Sequence, residues 1–168
     1  MTNEASIDAR AAIGKPRAIE TIVGGGVAIG VFDILEPILF FWLLVGASPM
    51  RVLQGVAAGL LGRDAAVAGG WKTALLGLGL HFFIATTIAT VFYFASLALP
   101  MLIRRPLLWG ILYGIACYFV MNFIVVPLSA APRMAFSFPM LLHGIAVHAF
   151  FVGLPVAFIA GWSAERNR

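Results

Sequence analysis

Charge is what this chain has least of. Asp, Glu, Lys and Arg make up 11% of its 168 residues, against about 25% in an ordinary soluble domain. Hydrophobic residues make up 62%, and the mean hydropathy is +1.02. Such a composition excludes a water-soluble globular protein and calls for an integral membrane one. Cysteine is almost missing too. Cys117 stands alone within an apolar run, which excludes an intramolecular disulfide and any Cys-x-x-Cys pair. No alternating apolar and polar segments occur, so a transmembrane β-barrel is excluded. A phosphate-binding loop is absent, because Gly24-Gly25-Gly26 enters an apolar run without a lysine. The net charge of +4 forms no basic stripe on a soluble fold, which excludes nucleic acid as a partner. Long polar loops that could hold a water-side catalytic site are lacking as well, so the chain is not expected to be an enzyme.

Four apolar runs remain, at about 18–45, 71–99, 106–128 and 137–162. Each exceeds the roughly 20 residues that a helix needs to cross a bilayer. With no water to satisfy backbone groups, the runs must be helical. The expected fold is all-α: a four-helix transmembrane bundle forming one domain over 18–168, preceded by a short tail at 1–17. The first run follows Arg10, Lys15 and Arg17 but is too long for a signal-peptide core, so it is expected to persist as span 1.

Two connections are short. Pro100–Arg105 joins spans 2 and 3, and Ser129–Phe136 joins spans 3 and 4. The connection between spans 1 and 2 has structure of its own. Ser48-Pro49 reads as a helix start, and Val52, Leu53, Val56, Leu60 and Leu61 recur at helical steps, with Arg51 and Gln54 off that stripe. The segment is too short to span, and is expected to be an interfacial or re-entrant helix. Gly62 and Gly69-Gly70 end it.

Basic residues set the expected orientation. Arg10, Lys15, Arg17, Arg104, Arg105, Arg166 and Arg168 fall on one side, and Arg51, Arg63, Lys72 and Arg133 on the other. Seven against four predicts that both termini are cytoplasmic. Trp42 and Trp71 then mark the outer interface, and Trp109 and Trp162 the inner one.

The unusual stretch is Gly30–Pro37, which puts Asp33 and Glu36 inside span 1. A central carboxylate costs about 2.5–3.5 kcal/mol on insertion scales, so these two must face helices or water rather than lipid. At i and i+3 they share a helix face and repel, and a shared proton is expected. Pro37 has no N–H for the carbonyl of Asp33, which makes it a candidate hinge. Counted from the outer boundary, Asp33, Glu36, His81 and His148 all lie about 9 to 12 residues deep, or roughly 15 Å. Asn122 and His143, about 6 residues deep, form a second polar layer above. Small residues run beside these groups: Gly26 and Gly30 on span 1, Gly77, Ala85 and Ala89 on span 2, Gly110 and Gly114 on span 3, Gly144 on span 4. Such stripes allow close helix contact and place the polar groups between helices.

Three chemistries suit that layer. The first is proton or cation handling by Asp33, Glu36, His81 and His148, coupled to movement of a small solute. The second is structural, with buried polar groups fixing helix pairing in a non-enzymatic subunit or assembly factor. The third is a metal ion held by the same four residues, or a bis-histidine haem, in a redox protein. His143 and His148, five residues apart, face different ways and would not share one ion. The expected partners are the lipid bilayer and either further copies of the chain or a larger membrane complex.

Arg51-Val52-Leu53-Gln54, Ala57–Gly62 and Met121–Ser129 resemble stretches of small bacterial four-helix membrane proteins of unassigned function. The resemblance runs from about Gly24 to the C-terminus. It implies an inner-membrane location and no catalytic residue.

Overall fold

The computed structural model describes residues 14–132 and 137–167; Arg10, Arg133 and Arg168 lie outside them. Seven helices occur in sequence among the described residues. They are α1 (Glu20–Val45), α2 (Pro49–Leu61), α3 (Arg63–Ala68), α4 (Gly70–Ala98), α5 (Met101–Arg104), α6 (Pro106–Leu128) and α7 (Phe138–Glu165). No strand occurs among the described residues. Helices α1, α4, α6 and α7 are each long and apolar enough to cross a membrane. Their ends fall within three residues of those read from hydropathy. The protein is an all-α, multi-pass membrane bundle of four helices.

The first and last described residues lie at one end of the bundle. The Arg17 N–H donates to Ser163 Oγ at 3.2 Å, and Asn167 Nδ2 donates to the Lys15 carbonyl at 3.0 Å. We call this the terminal end, and the opposite one, where α2 lies, the cap end.

Glycine decides which faces meet, because in lipid close backbone approach replaces the hydrophobic drive. On α1, Gly26 and Gly30 lie against Thr86 and the ring of Phe82 on α4. Val27, Val31, Leu35 and Leu39, one helical turn apart, form an exposed apolar face of the same helix. Helices α6 and α7 cross where Gly110 meets Gly153 and Gly114 meets His148 and Ala149. The stripe expected on α4 is buried, through Gly77, His81, Ala85 and Ala89.

Packing is densest toward the terminal end. There Ile29, Phe92, Val152, Val156, Ala157, Ala160 and Ala164 form one buried cluster with Leu102 and Ile103 of α5. Tyr113 seals it from α6: its ring meets Phe92 edge-on at 4.9 Å, and its hydroxyl donates to the Ile88 carbonyl at 2.7 Å.

The connection between spans 1 and 2 forms two helices rather than one. Gly62 separates them with φ +77° and ψ 162°, a conformation that residues with a side chain avoid. Helix α2 crosses α4 so closely that its Leu53 carbonyl lies over Gly77. It ends beside α6, where the Ala130 N–H donates to the Gly59 carbonyl at 2.8 Å. The stripe of large apolar residues is not its buried face. Gln54, Ala57 and Ala58 turn inward, while Leu60 is 61% exposed. Small residues let α2 approach α4, and the larger ones are left for the cavity and the apolar exterior.

Proline also shapes the spans. The helix widens to π-helical turns over Met121–Val125 and His148–Gly153, just before Pro127 and Pro155. A wider turn relieves the clash of the ring with the preceding turn. At Pro37 α1 continues as ordinary α-helix.

Candidate functional site: a polar-floored cavity beneath the cap

Below α2 the four spans separate around a cavity of about 380 Å³. Its walls are mostly apolar, with Ile29, Ile84, Ile88 and Val152 toward the core and Val56 and Leu60 from the cap. Asp33, His81 and His148 bring the titratable groups to it. On α4 the lining runs from Leu80 to Ile88, about 12 Å of helix. Below that, Ala89 and Phe92 are fully buried. The cavity is therefore closed toward the terminal end by the core cluster.

Each residue reaches this place for a local reason. His81 continues the small-residue stripe of α4, so the face that packs on α1 also carries the imidazole. Its Nε2 donates to the Gly30 carbonyl at 3.0 Å, bridging α4 to α1. That contact is available because Gly30 has no side chain to hold the helices apart. His148 opens the π-helical turn of α7, and its Nδ1 donates to the Gly144 carbonyl one turn back, at 3.0 Å. The ring of Tyr118 stands edge-on to it at 5.3 Å. One nitrogen of each imidazole is thus occupied by backbone. Asp33 sits one turn beyond Gly30, on the inward side of α1, and joins no ion pair among the described residues.

Glu36 departs from the single layer read from depth. Its Oε1 lies 2.9 Å from Nε2 of His143, and Phe40 stacks on that imidazole with centroids 4.2 Å apart. Counting residues placed His143 in a higher layer with Asn122. The long glutamate side chain spans the difference, and the contact gives each of two enclosed polar groups a partner. The titratable residues thus form two groups: Asp33, His81 and His148 at the cavity, and Glu36 with His143 beside it.

Asn122 joins neither group. It is exposed, and its Nδ2 donates to the Tyr118 carbonyl of its own helix at 3.0 Å. The stripe Gly110, Gly114, Tyr118 is buried as expected. The π-helical turn at Met121 rotates the rest of α6 out of register with that stripe, and no residue from Met121 to Leu128 is buried.

Metal and haem chemistry need donors that converge. Among the described residues no three His, Cys, Asp or Glu side chains group as a metal site. The proposed set of Asp33, Glu36, His81 and His148 is split, because Glu36 turns to His143. Pro37 lies at the position read for a hinge, and its missing N–H frees the carbonyl of Asp33.

Sequence reading missed the cap's share of the lining: Gly55, Val56, Gly59 and Leu60. The signal was present in the four-residue steps Gly55–Gly59 and Val56–Leu60, which put a small and a large stripe side by side. No family model matches the chain, and no curated protein or solved structure is significantly similar to it.

Proposed function

We propose that the cavity is a proton-handling site coupled to movement of a small solute or ion. The observation that carries this reading is that three ionisable side chains from three different spans, Asp33, His81 and His148, line one cavity within the membrane-crossing part of the bundle. Ionisable groups are costly there and collect where ions or protons pass. In this reading Asp33 exchanges a proton with the ring nitrogens of His81 and His148 that the backbone leaves unused. Glu36 and His143 form the neighbouring relay. The solute enters below α2, and passage onward requires Phe92 and Tyr113 to part, with Pro37 as the flexible point of α1. The protein sits in a bacterial inner membrane with both termini cytoplasmic, as the distribution of arginine and lysine favours.

The test is flux in liposomes. Wild-type protein should give a pH-dependent proton leak, and Asp33→Asn and His148→Gln, which keep size but cannot titrate, should reduce it at least tenfold while remaining folded. Wild-type liposomes without any proton or cation leak would end this reading. A second reading is favoured by His81 itself, whose bond to the Gly30 carbonyl is what a purely structural bridge between spans would look like. On that reading the chain is a subunit or assembly factor within an oligomer or larger membrane complex. His81→Gln would then weaken the bundle, and Asp33→Asn would be silent.

A further inference from the structure

The cap has a second face. Between α2, α3 and the end of α6 lies a cleft of about 1000 Å³, larger than the cavity and different in character. Arg51 from α2 and Arg63 from α3 line it, together with Asn122 of α6. Asp64 is next to Arg63 in sequence but is not part of the lining, so the cleft's charge is positive among the described residues. Gln54 forms another part of the wall. It is 2% exposed; its Nε2 is taken by the carbonyls of Gly70, at 2.9 Å, and Val67, while its Oε1 has no protein partner. The amide thus ties α2 to the chain between α3 and α4 and backs the wall of the cleft.

The cleft and the cavity adjoin. Gly55, Val126 and Ala131 line both. A basic, polar chamber therefore opens into an apolar one across a strip of small residues. We propose that the two chambers together hold one phosphate-bearing amphiphile of net negative charge, of the anionic phospholipid class. The phosphate lies between the guanidinium groups of Arg51 and Arg63, which suit phosphate oxygens in geometry and charge. The Nδ2 hydrogen of Asn122 that the Tyr118 carbonyl leaves free contacts the glycerol side of the head group. The acyl chain passes Gly55 and lies along Val56, Leu60 and Val126, above Asp33. This site does not depend on the proton reading, and on that reading lipid and solute compete for the apolar chamber. A phosphate on a soluble metabolite offers the same head-group chemistry without the chain, and the test separates the two.

Gly55 supplies a variant that leaves the fold intact. A Cβ added there meets nothing within 4 Å, so Gly55→Leu fits on α2 while filling the strip between the chambers. Purified full-length protein would be mixed with phosphatidylglycerol, with phosphatidylcholine or with glycerol 3-phosphate, and binding read by native mass spectrometry and thermal shift. Wild-type protein should hold one phosphatidylglycerol at least tenfold more tightly than phosphatidylcholine. The double variant Arg51→Gln, Arg63→Gln should lose that preference. Gly55→Leu should bind at least tenfold more weakly with no fall in melting temperature. Equal binding of both lipids, or an unchanged preference in the double arginine variant, would overturn the proposal. So would protection by glycerol 3-phosphate equal to that by phosphatidylglycerol, which would show a soluble phosphate guest with no use for the apolar chamber.

Discussion

Changing glycine to alanine should have opposite signs at two positions of this protein. At Gly114 an added methyl group would lie 2.7 Å from the Ala149 Cα and from the His148 carbonyl carbon, where ordinary contact is 3.4–4 Å. The obstruction is backbone of α7, which cannot rotate away as a side chain would. Helices α6 and α7 must part by about 1 Å, and the Gly110–Gly153 contact one turn away loosens with them. Overpacking of this kind costs about 1–3 kcal/mol, partly offset by the roughly 1 kcal/mol that alanine gains over glycine within a helix. At Gly55 the offset acts alone, because the site is open. Gly114→Ala should therefore destabilise and Gly55→Ala should slightly stabilise, with about 2 kcal/mol between them. That is about thirtyfold in the folded-to-unfolded ratio. Reversible unfolding in mixed micelles, followed by helical circular dichroism, would measure both. A Gly114→Ala protein as stable as the Gly55→Ala protein would refute the close crossing of α6 and α7, and with it the placing of His148.

Two further outcomes rest on the same geometry. A double-mutant cycle between Glu36→Gln and His143→Gln should give a coupling of about 0.6–1.7 kcal/mol, the range found for polar pairs in membranes, whereas Asn122→Ala should couple to neither. In a Cys117→Ala background, single cysteines at Arg63 and Arg105 should react with an impermeant reagent from opposite sides of the membrane, Arg63 from outside; labelling of both from one side would contradict the four-span topology.

The spans were legible because hydropathy over twenty residues is a strong signal and lipid leaves the backbone one solution. The contacts of α4 were legible for a related reason. Gly77, His81, Ala85 and Ala89 recur every four residues, and that period survives in an undistorted helix. The same arithmetic failed for Asn122 because the π-helical turn at Met121 changes the period, and sequence periodicity assumes a constant one. Depth counting brought His81, His148 and Asp33 to one cavity, yet could not see that Glu36 reaches His143. Counting along an axis ignores side-chain length and helix rotation. Arg51 and Arg63 entered the sequence argument as orientation signals, and Arg51 also as a polar position off an apolar stripe, but never as a pair. Their common cleft depends on how Gly62 turns the chain between α2 and α3, and a turn at one glycine leaves no periodic trace.

The two titratable groups differ in a way that bears on which reading of the bundle is stronger. Glu36 has an imidazole at 2.9 Å, so its carboxyl group is partnered where it stands. A bundle that needed polar groups only to lock its helices would treat Asp33 likewise. Instead Asp33 lies on a cavity beside two imidazoles that donate to backbone carbonyls, and it joins no ion pair among the described residues. Leaving a carboxyl group facing open space within a membrane costs stability that a buried pair or an apolar residue would retain. Proteins keep such groups where protonation is used, and that asymmetry between Asp33 and Glu36 weighs for a site that exchanges protons over one that only holds helices together.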